Sequence, residues 1–354
     1  MAQDAAGGDG QGARASATRV VRPEFTGSAA EYFRIWIVNL FFSLVTLGVY
    51  SAWAKVRKKR YFYGSTRFDG ASFDYFASPK AILYGRIVAV AVFAAYALVA
   101  ELFPASRFAF WALALVALPA LIVRSLLFNA RNTGYRGLRF NFGASAFDAL
   151  RRLVKAVAVT ALTFGLALPY LIARFKSFVV SNHAFGESRF TCELPARALF
   201  GIYIRGMLIL FAMTVPSGVL GFVLFRFELP EGLEWLTIAG PMVVMYVAYA
   251  VAFAYTTART TNLQWDSTRG PGMRFSSTLS AVALARLYVG NLFAAAASLG
   301  LLIPWAVVRT LRYRFENFSM VVEDEVVHTA HPQLARVGAT GQEVGEIFHL
   351  ELGV

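Results

Sequence analysis

The chain has one cysteine, Cys192, in 354 residues. An internal disulfide is excluded, and so is a cysteine cluster holding a metal. Charge is scarce too, at 16% of residues against roughly 25% in soluble domains. Acidic residues are scarcest: the 21 Asp and Glu face 34 Lys and Arg, giving a net charge of +13. No Ser-His-Asp set, phosphate-cradling glycine loop, nucleotide motif or metal-ligand pair stands out. The expectation is a non-enzyme without a cofactor. The four histidines (His183, His328, His331, His349) fall in polar stretches and read as solvated. A secretory signal peptide is missing, because the N-terminus MAQDAAGGDGQGARASATRV has no apolar core. Its Gly, Ala and Ser content predicts a disordered tail over 1–21. The polar 326–354 stretch predicts a C-terminal tail.

What the chain has in abundance is apolar residues, 57% of the total. A soluble protein this apolar could not cover its surface with polar groups, so lipid must be its solvent. The Lys and Arg stand at the ends of apolar runs, the pattern of cytoplasmic membrane flanks. That placement argues against nucleic acid as the partner and for the bilayer, with anionic headgroups near the basic flanks.

One spaced pattern occurs three times. The copies are Arg34-Gly48-Ala52-Trp53-Arg57, Arg151-Gly165-Pro169-Tyr170-Arg174 and Arg286-Gly300-Pro304-Trp305-Arg309, with mostly apolar residues between. Repeats of this kind describe architecture. Between them stand two pairs of apolar runs: Ile87 to Phe103 with Phe108 to Phe128, and Met207 to Phe225 with Trp235 to Ala258. Each run is near the ~20 residues that span a bilayer as a helix. Pro119, Pro216 and Pro241 inside them are tolerated where neighbours satisfy the freed carbonyls. Away from their ends the runs carry no Asp or Glu, which disfavours a proton-coupled carrier.

The sequence thus predicts an all-α polytopic membrane protein with an integral domain over 22–325. Three broken-helix repeat elements, about 31–78, 148–195 and 283–328, alternate with helical pairs at about 80–128 and 199–258. Aromatic and Gly-rich stretches after each motif, such as RYFYGSTRFDGASFDYF, predict short strands or hairpins on the cytoplasmic side. An irregular interfacial loop is the other reading.

Topology has two readings. If each motif crosses straight, Arg34 to Arg57 spans 23 residues, about 34 Å of helix, with an arginine at each interface. If each motif returns to the face it entered, 32 of the 34 Lys and Arg lie on one side, all but Arg107 and Arg226. The positive-inside bias favours the second, with both termini cytoplasmic. Gly48, Gly165 and Gly300 permit the backbone a turn needs, and Pro169 and Pro304 cannot continue a helix ladder. A bulky residue at Gly300 is therefore expected to harm folding more than one at Gly221.

Candidate contacts follow from the repeat. Arg57, Arg174 and Arg309 could form a basic site for anionic headgroups, or only snorkel and orient the chain. Trp53, Tyr170 and Trp305 could line a lipid site, though interfacial anchoring explains them as well. Asn39 and Asn291, replaced by Ala156 in the second copy, read as glue between helices before they read as ligand contacts.

The segment FRIWIVNLFFSLVTLGVYSAWAKVRKKRYFYGSTRFDG, echoed by NLFAAAASLGLLIPWAVVR, resembles the signature of the bacterial inner-membrane family typified by YjgN. The resemblance covers about residues 22 to 328. It implies a multi-pass inner-membrane protein and supplies no substrate, cofactor or catalytic residue. Two functions remain open: transport or lipid handling of a small or anionic ligand, and a membrane scaffold that binds anionic lipid or a protein.

Overall fold

A computed structural model describes residues 18–186, 188–226, 230 and 232–323. The expected tail at 326–354 and all but the last four residues of the one at 1–21 lie outside these. Thr18–Val21 is strand β1, so the ordered chain starts earlier than its composition predicts.

Among the described residues the helices fall into five antiparallel hairpins. The three repeat motifs form short ones: α1 (Ala29–Val45) with α2 (Ser51–Gly64), α5 (Ala146–Leu162) with α6 (Leu168–Ser181), and α9 (Ala281–Ala297) with α10 (Ile303–Glu316). The apolar pairs form long ones: α3 (Pro79–Leu102) with α4 (Ser106–Asn132), and α7 (Ala196–Arg226) with α8 (Leu236–Asp266). At 1.5 Å per residue the 17 residues of α1, α5 and α9 reach about 25 Å, short of the ~30 Å hydrocarbon core. The 24 to 31 residues of α3, α4, α7 and α8 reach it, and these four are long and apolar enough to cross a membrane.

Each short helix pair turns where the motif glycine predicts. Leu47, Phe164 and Leu299 have φ of 48°, 50° and 49°, followed by Gly48, Gly165 and Gly300 at 91°, 86° and 91°. The glycine N–H donates to the carbonyl five residues back, at 2.7 to 2.8 Å from Ser43, Thr160 and Ala295, closing the helix end. A hydroxyl then satisfies both sides of the break. Thr46 donates to the Phe42 carbonyl at 2.7 Å and accepts from the Tyr50 N–H at 2.9 Å. Thr163 does the same between Val159 and Ala167, and Ser298 between Ala295 and Leu302. A turn closed from within can sit in lipid, where an open one would strand its polar groups. The tip residues are accordingly apolar and bare: Leu47, Phe164 and Leu299 are 95%, 98% and 95% exposed.

The hairpins return to where they began. In the first, Ser28, which caps the start of α1, gives its N–H to the hydroxyl oxygen of Tyr61 near the end of α2, at 2.8 Å. Ser280 and Tyr313 repeat this at 2.9 Å. A straight crossing would hold those ends a helix length apart. At the foot of each helix a side chain takes up a carbonyl that the ladder leaves open. Thr66, Thr133, His183 and Thr268 bond the carbonyls of Phe62, Asn129, Val179 and Gln264.

Short strands join the feet. β1 and β12 (Phe318–Glu323), β11 (Met273–Ser277), β10 (Thr268–Gly270) and β9 (Thr191–Cys192) form one antiparallel sheet in that order. The second runs β2 (Glu24–Phe25), β3 (Thr66–Phe68), β4 (Ala71–Tyr75), β5 (Thr133–Tyr135), β6 (Leu138–Phe142), β7 (His183–Phe185), β8 (Ser188–Arg189). The sheets share both corners, because β1 runs into β2 and β8 into β9 with one or two residues between. The strands therefore close a ring. The fold is mostly helical and carries short strands, as expected.

The core is distributed in the same circular way. Buried clusters lie at every junction between successive hairpins: α2 on α3 around Ile82, α4 on α5 around Leu126, α6 on α7 around Leu199, α8 on α9 around Leu284, and α10 on α1 around Tyr32 and Val308. A further cluster fills the strand ring, where Val21, Met320 and Val322 of one sheet meet Phe68 of the other. Asp69 clasps the ring across its sheets, with carboxylate oxygens 2.7 Å from guanidinium nitrogens of Arg19 and Arg136. These guanidiniums hold its carboxyl below the usual carboxylate range, Arg19 contributing most.

One ground of the glycine expectation, close helix approach at the motif glycines, does not hold, while their positive φ remains. A Cβ on Gly48 or Gly165 would meet nothing within 4 Å, and on Gly300 only Ile303, at 3.5 Å. On Gly221 it would lie 2.6 Å from the Pro241 ring and 3.1 Å from the Thr237 carbonyl. Gly221 marks a close approach of α7 and α8, as Gly206 does against Thr256, so bulk is harder to place there, while at the open tips only the positive φ strains it.

Candidate functional site

The repeated arginines stand on three separate hairpins, and each is exposed. Arg174 lies over the Tyr170 ring at 5.2 Å and Arg309 over Trp305 at 5.0 Å, each one helical turn from its aromatic. Trp53 packs on the α2–α3 cluster and stacks near Tyr50 at 6.3 Å. The two ring contacts hold the guanidiniums of Arg174 and Arg309 beside their own helices.

Asn39 and Asn291 tie the two helices of their hairpins. The Asn39 amide donates to the Ala54 carbonyl at 3.4 Å, and Asn291 to the Ala306 carbonyl at 3.3 Å and the Thr310 hydroxyl at 3.0 Å. The amide oxygens of both are buried without a hydrogen-bond partner among the described residues.

Two cations packed between hairpins emerge that composition did not single out, Lys59 buried and Lys176 partly buried. Lys59 reaches the Asn129 side chain at 3.2 Å with its ammonium 5.0 Å from the Tyr75 ring centre. Lys176, at the matching place in the second hairpin, reaches Gln264 at 2.7 Å. Both link a short hairpin to the last turns of a long one. The motif spacing carried a signal, since each lysine stands two residues after its motif arginine. Leu311 holds that place in the third copy and packs between hairpins instead.

His183 is buried, contrary to the solvated reading. Its Nδ1 is 2.7 Å from the Val179 carbonyl, and burial lowers its pKa. Cys192 is buried as well, and burial raises its thiol pKa. Among the described residues no group of three or more His, Cys, Asp or Glu could hold a metal. His328 and His331 lie outside them.

The second short hairpin differs from its sisters. Where they have Asn39 and Asn291 it has Ala156, and opposite, where they have Ala54 and Ala306, it has Leu171. Where Tyr61 and Tyr313 hold the hairpin feet it has Phe178, and Arg152 replaces Ile35 and Leu287. A cleft opens at these substitutions, between α4, α5 and α6. It is apolar, about 40 Å³, and its walls include Pro119, Ala156, Leu171 and Phe178 together with Arg152 and Arg174, whose guanidiniums lie over Phe178 and Tyr170.

Hairpins rising from a closed strand ring, four helices of spanning length and basic residues near the feet define a multi-pass membrane protein. The particular family follows from comparison. Residues 21–347 match the model of a family described as bacterial protein of unknown function (DUF898), and the chain belongs to that family. It is 22% identical to an inner membrane protein YjgN of Salmonella typhimurium over 341 residues, 83% of this chain and 86% of that one. Against the protein of that name from Escherichia coli O157:H7 it is 28% identical over 203 residues, 56% of this chain and 48% of that one. The K12 protein is 30% identical over 122 residues, 34% and 31% of the two chains. No solved structure matches. Family and apolar helices together make this a multi-pass protein of the bacterial inner membrane.

Proposed function

We propose that this protein handles anionic lipid at the cytoplasmic face of the inner membrane, without catalysis. The observation that carries the reading is that all five hairpins open and close on one strand ring. Basic residues crowd the feet: Lys58 and Arg60 on α2, Arg151 and Arg152 on α5, and Arg312 and Arg314 on α10. Arg107 and Arg226 stand instead at the ends of the long hairpins away from the ring. With the ring in the cytoplasm, the long hairpins cross and return, and the short hairpins dip into one leaflet and come back. Thr18 and Glu323 pair across β1 and β12, which supports both termini lying on that same side. Each basic residue near an anionic surface contributes about 1 kcal/mol of attraction, so the ring end is a concentrated docking place for such headgroups.

A scaffolding role is the second reading. It is favoured by the exposed Arg67, Arg139, Arg189 and Arg274 of the strands, which a protein partner could read as well as a membrane.

Mass spectrometry of the protein purified in mild detergent tests the first reading. Retention of phosphatidylglycerol or cardiolipin above its share of the membrane lipid is expected. A retained pool that only mirrors the membrane would rule out lipid handling and leave the scaffold.

A further inference from the structure

The motif spacing places the three short hairpins in register, and that register isolates one of them. In the first and third, an asparagine ties helix to helix in mid-hairpin and a tyrosine bonds the cap serine at the foot. The second keeps the cap, Ser145, but has lost both ties to Ala156 and Phe178. In return it has gained Arg152, a cation where both sisters are apolar, 5.8 Å from the face of Phe178. The cleft lies at these changes, its apolar walls flanked by the exposed Arg152 and Arg174.

We infer that this cleft is a binding site for one anionic phospholipid, with its phosphate between Arg152 and Arg174 and the start of an acyl chain along Ala156, Leu171 and Pro119. The cleft combines what a phospholipid needs, apolar walls for hydrocarbon and two flanking arginines for phosphate. Guanidinium groups suit phosphate because their planar donors can bond two oxygens at once. The cleft holds little more than a water's share of volume, ~30 Å³. It therefore grips the upper part of a chain and leaves the rest in the bilayer. Neither sister has this cleft chemistry, so the site is single in a molecule whose frame is repeated. The inference rests on the lipid-handling reading and narrows it to one place.

The test is native mass spectrometry of full-length protein in detergent, titrated with phosphatidylglycerol or phosphatidylcholine. The variants are Arg152→Gln/Arg174→Gln and, at the sister hairpins, Arg57→Gln/Arg309→Gln. One tightly held phosphatidylglycerol is expected in the wild type, at least tenfold weaker phosphatidylcholine binding, and no competition by inorganic phosphate. The Arg152/Arg174 variant should lose that lipid at least tenfold while the Arg57/Arg309 variant keeps it. Filling the cleft with Ala156→Phe should lower affinity with both arginines present. If the Arg152/Arg174 variant binds as the wild type does, or both double variants lose lipid equally, the site is wrong while general lipid handling stands. If the wild type holds no phosphatidylglycerol, both fall. Displacement by inorganic phosphate would make this a free-anion site and overturn the lipid assignment.

Discussion

The second short hairpin and its two sisters share a turn and differ in everything that holds their helices together. All three close the tip with the same glycine and hydroxyl bonds. Only the first and third lock mid-hairpin with asparagine and the foot with tyrosine. The turn obeys a solvent constraint, since any break at membrane depth must satisfy its own backbone. The ties obey no such constraint and can be given up where an opening is useful. Divergence between copies is therefore a better guide to a site here than the motif they keep.

The largest expected effect separates long hairpins from short ones. Gly221→Leu should cost about 3 kcal/mol or more by overpacking α7 against α8. Gly300→Leu should cost about 1–2 kcal/mol, the penalty of a left-handed backbone, since its tip is open. Thermal unfolding in detergent ranks the two. Equal losses would mean that close helix approach is not what holds the long hairpins.

Next come the ties. Tyr61→Phe and Tyr313→Phe should each cost about 1 kcal/mol by leaving a cap N–H without its hydroxyl partner. Asn39→Ala and Asn291→Ala should cost about 0.6 kcal/mol or somewhat more, the usual size of hydrogen bonds between membrane helices. Phe178→Tyr in the second hairpin should gain stability by rebuilding the foot bond to Ser145. If Phe178→Tyr destabilises as much as Tyr61→Phe, the hairpins are not comparable and the register between them is wrong.

The smallest effect is one of pH. His183 fills a place that threonine fills after other helices, as at Thr66 and Thr268. Burial lowers its folded pKa below the unfolded value of 6.5. The unfolded chain thus binds the proton more readily. The contribution of His183 is present above pH 6.5 and is lost as pH falls through the lower folded pKa. His183→Thr keeps a donor for the Val179 carbonyl and should flatten the melting temperature between pH 7 and 5. An unchanged slope would show that His183 does not titrate there.

Much of this was legible in the residues. Spacing located the three turns, the four long helices and the arginine that ends each motif, because apolar run length and glycine report directly on membrane geometry. Asn39 and Asn291 donate their amides across their hairpins, the kind of contact their setting suggested. The closed strand ring was not legible, since strands of two to six residues carry too little periodicity to reveal which partner each takes. Lys59, Lys176 and His183 were missed as packed groups for a related reason. Their amide and carbonyl partners stand elsewhere in the chain or in the preceding turn, and polar side chains in an aromatic loop look solvated. The cleft at Ala156 showed only as a departure from the motif.

The claim on which everything else depends is that the strand ring lies wholly on one side and the short hairpins do not cross. Cysteine labelling of intact cells with a membrane-impermeant maleimide, in a Cys192→Ser background, measures it most directly. Ser72→Cys on β4 and Thr191→Cys on β9, both exposed and each following a different short hairpin, should stay unlabelled until the cells are opened. Ala105→Cys, exposed in the turn between α3 and α4, should label from outside. Labelling of Ser72→Cys or Thr191→Cys in intact cells would contradict the one-faced arrangement and return the short elements to straight crossings.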